Sequence, residues 1–171
     1  MDVGSDYILT DCASCYDVLK QYANFVDDDS QQLAFDFSSK VVSPLDLLKA
    51  IKYSCVSNKD LKVAVHVPCH ESHDIAGFVK CIQGIQYIDV DGYDKCCGFS
   101  GSFALKYQDV SRKISKQKAQ NYLNAKVDIV LTTCPACMLG LEQGFLELPD
   151  SKRPQVMNLY IFLAQYCQQI P

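Results

Sequence analysis

Along the chain, short runs rich in β-branched and aromatic residues alternate with longer stretches whose apolar positions recur at helical spacing. Tyr7 to Thr10 reads as a strand, and Cys12 to Val26 as the helix after it, with Val18, Leu19, Tyr22 and Phe25 on one face. The acidic stretch Asp27-Asp28-Asp29-Ser30 ends that helix and caps a second one through Phe37. Ser43-Pro44 opens a third, to about Tyr53, with Pro at the first helical position where its missing N–H costs nothing. Val56 to Asp60 reads as a linker. From Leu61 the pattern is βαβ: a strand Val63 to Val67, a helix from about Asp74 to Ile82 and a strand Gln86 to Val90. The loop Cys96-Cys97-Gly98-Phe99-Ser100-Gly101-Ser102 leads into a long polar helix, Asp109 to Lys126, then a strand Asp128 to Thr132 and a helix Cys134 to Leu146. Val156, with Leu159 to Cys167, supplies a short strand and a final helix. This alternation predicts an α/β fold, a mainly parallel, Rossmann-like sheet covered by helices.

An internal repeat organises the pattern. The run Asp6 to Cys15 matches Asp128 to Cys137 at an offset of 122 residues with both cysteines aligned, each copy reading strand, Cys-x-x-Cys, helix. Further on, Val41 to Leu48 resembles Val156 to Leu163. The expectation is a duplicated βα unit, with residues 1–57 the C-terminal remnant of a first copy and 58–171 a complete second one. Met1 is then a displaced or artificial start within a longer protein.

Of the 171 residues, 49% are apolar and 21% charged, which is ordinary globular composition. The net charge of −4 and the absence of a basic stripe exclude nucleic acid as the expected partner. No apolar stretch approaches the roughly 20 residues of a spanning helix. The N-terminus lacks a secretory pattern, which places the chain in a reducing compartment, the cytoplasm. Composition departs from the ordinary in one respect, its ten cysteines.

In the complete unit these fall at Cys69, at Cys96 and Cys97, and at Cys134 and Cys137, with gaps of 26, 36 and 2 residues. Each group follows a predicted strand, and in an open parallel sheet such connections emerge at one edge. Thiolates brought together repel unless a cation holds them, and soft sulfur ligands select iron–sulfur clusters or zinc. A tetrahedral zinc would leave one of the five thiols unused, whereas a cluster with several irons can use both members of the adjacent pair. Gly98 and Gly101 allow backbone N–H groups to approach the sulfurs, and Cys134 and Cys137 sit at a helix N-terminus that favours thiolate.

His66-Val67-Pro68-Cys69-His70, Cys96-Cys97-Gly98-Phe99-Ser100-Gly101-Ser102-Phe103 and Thr133-Cys134-Pro135-Ala136-Cys137 resemble the cysteine-rich CCG domain. That domain occurs, usually as two tandem copies, in one of the subunits of heterodisulfide reductase. It also occurs in the iron–sulfur subunits of glycolate oxidase, anaerobic glycerol 3-phosphate dehydrogenase and lactate-utilisation systems. The resemblance implies an α/β domain holding an iron–sulfur cluster, in heterodisulfide reductase a four-iron (4Fe-4S) non-cubane type on five cysteines. Cys69, Cys96, Cys97, Cys134 and Cys137 match those ligand positions, with Cys12 and Cys15 as an incomplete second site. The sequence departs from the family at Val67, where Asp is common, and in its shorter gap between Cys69 and Cys96.

The function this implies is electron transfer within a flavin-linked oxidoreductase that oxidises a 2-hydroxy acid or glycerol 3-phosphate. The chain would be the iron–sulfur part of such an enzyme rather than a complete one, with no catalytic residue of its own. FAD is expected only in a partner oxidase domain or subunit, with a quinone-linked acceptor and a peripheral place at the inner face of the membrane. The alternatives are a structural zinc module and a disulfide-cleaving domain of the heterodisulfide reductase kind. Cys55, Cys81 and Cys167 read as packing or surface thiols. His66 reads as a core residue at a strand end, with His70 and His73 lining a loop. The basic helix Ser111 to Lys118 reads as a solvated face, or as a dock for an acidic partner.

Overall fold

The computed structural model describes residues 4–149 and 152–170. Met1, with its reading as a displaced start, lies outside them. The chain divides into two compact units, Met1–Tyr53 with His70–His73, and Ser54–Cys69 with Asp74–Pro171.

In the first unit, β1 (Ile8–Leu9) leads into α1 (Ala13–Lys20), and α2 (Gln31–Lys40) leads through β2 (Val41–Val42) into α3 (Pro44–Ala50). The two strands pair in parallel, Ile8 opposite Val41 and Leu9 opposite Val42. α3 starts as its sequence predicts: the Ser43 hydroxyl accepts from the Asp46 N–H while the Asp46 carboxylate accepts from the Ser43 N–H. The first helix is shorter than its periodicity predicts, ending at Lys20 and giving way to a 3₁₀ turn, Tyr22–Phe25. Val18, Tyr22 and Phe25 stay 44–67% exposed, so no packing energy holds that stretch in α form. The acidic segment also differs from expectation. Asp28–Ser30 forms a 3₁₀ turn of its own, and neither Asp27 nor Ser30 makes a side-chain cap.

The second unit begins with β3 (Cys55–Ser57) and β4 (Lys62–Val65), followed by α4 (Ile75–Lys80) and β5 (Gln86–Tyr87). α5 (Gly101–Lys106) and α6 (Gln108–Asn124) lead to β6 (Ile129–Thr132) and α7 (Pro135–Leu146), and β7 (Gln155–Asn158), α8 (Leu159–Tyr166) and β8 (Cys167–Gln169) complete it. Four strands form a wholly parallel sheet in the order β5-β4-β6-β7. The central strands read as apolar runs because both faces are covered: all four residues of β6 are buried, as are Val63, Ala64 and Val65 of β4. Ala119 and Tyr122 of α6 and Leu141 and Phe145 of α7 close one core against them. α6 and α7 approach closely at Gly144, where an added Cβ would lie 2.2 Å from the Ser115 carbonyl oxygen. The predicted linker at Val56 is instead β3, antiparallel to β8, with Val56 opposite Gln168. That pairing joins segments more than 100 residues apart, beyond the reach of local pattern.

The repeat reappears as strand register. Val130 lies opposite Val156 and Leu131 opposite Met157 in the second unit, and their repeat counterparts are the pairs Ile8 with Val41 and Leu9 with Val42 in the first. Cys12 and Cys134 occupy the N-cap positions of α1 and α7 with matching backbone, φ −107° and ψ 116° against φ −127° and ψ 117°.

Candidate metal centre

The candidate residues of the second unit all follow strands of the parallel sheet. His66 and Cys69 come after β4, Cys96 and Cys97 after β5, and Cys134 and Cys137 after β6, so parallel pairing delivers them to one sheet edge. Cys134 is the N-cap of α7 and Cys137 sits in its first turn, where unpaired N–H groups favour thiolate.

The five thiols fall into two groups, Cys97 with Cys134 and Cys137, and Cys69 with Cys96. Cys97 Sγ and Cys137 Sγ are 3.5 Å apart, and Cys137 also bonds Cys134. Cys69 contacts Cys96. Cys97, Cys134 and Cys137 are buried, whereas Cys69 and Cys96 are exposed, so the first group lies in the core and the second at the surface. The Cys137 contact, against the opposing effect of burial, lowers the Cys97 pKa, with help from His66 and the Phe99 N–H. Cys137 moves the other way, raised by Cys134 and Cys97 and then by burial. Burial, followed by the neighbouring Cys96, raises Cys69.

The loop from Gly92 to Phe99 is held from beneath by α6. Ser111 Oγ donates to the Gly98 carbonyl at 2.7 Å and Ser115 Oγ to the Cys97 carbonyl at 2.9 Å, while Lys118 Nζ donates to the carbonyls of Gly92 and Lys95. With these carbonyls turned to the helix, the Gly98 N–H bonds Cys96 Sγ at 3.3 Å and the Phe99 N–H bonds Cys97 Sγ. Gly98 takes a positive φ of 77°, and a Cβ there would lie 2.9 Å from Ile114, so both conformation and space require glycine. Gly101 opens α5, exposed and with open space around it. Burial pushes Lys118 down to about 8, against the pull of the nearby thiols.

The predicted solvated face of this helix therefore needs correction. Arg112, Lys113 and Lys116 are exposed, but Ser111, Ser115 and Lys118 are buried and grip the loop. Their spacing of four and three residues is the available sequence signal, masked by the polarity of the side chains.

The remaining thiols and histidines are placed elsewhere. Cys12 is half-buried with its sulfur 3.7 Å from Ser14 Oγ, and Cys15 is exposed. Cys81 is exposed, whereas Cys55 is buried in contact with Cys167. Burial and then that contact push Cys167 up to about 12. His70 bonds Asp17 at 3.0 Å, and His73 is held between Glu71 and Asp46 at 2.7 and 2.9 Å.

Among the described residues, the tight group of potential metal ligands is His66, Cys97 and Cys137, whose donor atoms lie within 4.8 Å of one another and are all buried. His66 Nε2 is a buried polar atom that makes no hydrogen bond of ordinary geometry. Such a nitrogen beside clustered thiols is the donor set of a soft metal centre, and these residues fit one.

Comparison with known proteins agrees with this chemistry. Lactate utilization protein A of Oceanobacillus iheyensis is 24% identical over 147 residues, covering 80% of this chain and 60% of the relative. An uncharacterized iron–sulfur protein of Methanocaldococcus jannaschii is 25% identical over 173 residues, covering 94% and 32%. One subunit of the dihydromethanophenazine:CoB–CoM heterodisulfide reductase of Methanosarcina barkeri is 22% identical over 151 residues, covering 82% and 36%. The chain thus spans 60% of the first relative and about a third of the other two. Residues 63–142 match the CCG family, described as a cysteine-rich domain. The segment 63–142, which carries the helix-gripped loop and the sheet-edge thiols, is thus similar in sequence to the CCG cysteine-rich domain.

Proposed function

We propose that residues 58–171 hold an iron–sulfur cluster, of the four-iron type, on Cys69, Cys96, Cys97, Cys134 and Cys137. The domain is then the electron-transfer part of a flavin-linked oxidoreductase acting on a 2-hydroxy acid or glycerol 3-phosphate. The observation that carries the reading is the delivery of five thiols from three loops to one sheet edge, with Cys97 and Cys137 3.5 Å apart and Cys97 lowered in pKa. Support also comes from the relatives, one named as an iron–sulfur protein and another for lactate utilization.

When bound, such a cluster accepts and releases single electrons. The chain's own part is to supply the thiolates, to lower their charge density through the Gly98 and Phe99 N–H groups, and to place the Lys118 cation beneath the loop. FAD lies in a partner domain or subunit in this reading, and the acceptor is quinone-linked. Among the described residues no helix is long and apolar enough to cross a membrane, which suits a peripheral cytoplasmic position.

Residues 1–57 are read as the end of a first CCG-type repeat and residues 58–171 as the complete second copy. The shared strand register supports this, as do Leu9, Leu33 and Phe35, which are 58–75% exposed on the first unit.

The test is iron and acid-labile sulfide analysis of the chain reconstituted without oxygen. About four of each per chain, with brown absorbance lost in Cys97→Ser, is the expected result. Stoichiometric zinc without sulfide would overturn the reading in favour of a structural metal module.

A further inference from the structure

His66 is left unused by a centre built from cysteines alone. It follows β4 directly, and its N–H continues the pairing to β6 by bonding the Leu131 carbonyl at 2.8 Å. The side chain is fully buried. Its Nδ1 lies 3.1 Å from the Tyr93 carbonyl oxygen, which can only accept, so Nδ1 carries a proton and Nε2 is the nitrogen left to face the thiols. The same carbonyl accepts from the Val67 N–H at 3.0 Å, which fixes the oxygen that orients the ring.

Nε2 makes no hydrogen bond of ordinary geometry, and the group it acts on is Cys97, whose thiol pKa it helps to lower. The imidazole, Cys97 Sγ and Cys137 Sγ keep their donor atoms within 4.8 Å of one another. A ring held through N–H to a backbone carbonyl, with its other nitrogen aimed at thiols, is the geometry of an oriented metal ligand.

Resting on the cluster reading above, we propose that His66 Nε2 is a direct ligand of the centre beside Cys97 and Cys137, making the donor set mixed sulfur and nitrogen. A neutral imidazole leaves the iron it binds less negatively ligated than a thiolate would, which raises the reduction potential. The other histidines are otherwise engaged. Both ring nitrogens of His73 face carboxylates, and His70 Nδ1 bonds Asp17.

The test is pulsed EPR on the whole chain reconstituted with iron and sulfide, prepared with natural and with ¹⁵N-labelled histidine. A strong nitrogen coupling that shifts with the label, persists in His70→Ala and is lost in His66→Cys is the expected result. His66→Cys should retain its iron, since a thiolate replaces the nitrogen, and its midpoint potential should fall. Should that variant fail to fold, the labelled wild type and His70→Ala decide alone. A loaded wild type without histidine coupling, or a coupling that survives in His66→Cys, overturns the His66 assignment and leaves the cluster standing. A wild type that takes up no iron overturns both.

Discussion

Cys97 Sγ and Cys137 Sγ stand 3.5 Å apart with their acidities driven in opposite directions, Cys97 down and Cys137 up. A metal ion held by both sulfurs replaces that contact with two metal–sulfur bonds and releases the thiol protons. Serine at either position removes one of these sulfurs. We expect iron per chain to fall more than about tenfold in Cys97→Ser and Cys137→Ser. Cys81→Ser, at an exposed thiol outside the centre, should leave it unchanged. Metal analysis after identical reconstitution checks both.

The two glycines of the loop separate by substitution. Gly98→Ala meets a positive φ of 77° and Ile114 at 2.9 Å, and should cost about 1–3 kcal/mol and reduce iron retention. Gly101→Ala, in open space, should stay within about 0.5 kcal/mol of wild type. Denaturant midpoints with iron content distinguish them, and equal effects would show that the loop is not held as described.

Lys118→Met keeps the length of the side chain but strands the carbonyls of Gly92 and Lys95, which now receive its ammonium. Losing a charged donor costs about 1.5–3 kcal/mol. Iron uptake should fall as the loop loosens, while far-UV circular dichroism keeps its shape. Unaltered uptake would remove Lys118 from the account of the loop.

Asp46 predicts an acid dependence. Burial acts to raise its pKa, but the Ser43 N–H, the His73 ring and the Ser43 hydroxyl outweigh it and hold the carboxyl below its usual range. A depressed folded pKa gives stability that is fully present above about pH 3.9 and is lost as pH falls through the folded value. With the side chain 36% exposed, solvent screening limits the effect to less than about 1 kcal/mol. Asp46→Asn should therefore be less stable than wild type at neutral pH and converge with it in acid, as followed by thermal melts. A difference that persists unchanged in acid would mean that the carboxylate charge is not responsible.

Much of this arrangement is legible from local sequence because local chemistry sets it. The continuous apolar runs at Val63 and Ile129, Asp74 ahead of α4 and Ser43-Pro44 ahead of α3 each act within a few residues, and their elements appear where the pattern puts them. The aligned halves of the repeat also foretell strand register, since Val130 opposite Val156 is Ile8 opposite Val41 transposed. What escapes is long-range or disguised. β3 and β8 exist only through each other, and Cys55 meets Cys167 only because they pair. Ser111, Ser115 and Lys118 look like solvent residues, and become a grip only when a loop with unpaired carbonyls settles on them. The five cysteines can be ordered from spacing, but not the depth at which each lies, which leaves Cys69 and Cys96 at the surface.

The row of donors along α6 sets how the site answers a change of charge. Water around an exposed anion turns as the charge alters, and that turning is the larger share of the work in moving an electron. At the buried Cys97 the Phe99 amide stands in for water, and Ser111 and Ser115 pin the carbonyls of Gly98 and Cys97 from behind. In the proposed electron-transfer role, dipoles fixed in this way do not swing as the charge changes, so the medium beside the buried Cys97 sulfur needs little rearrangement.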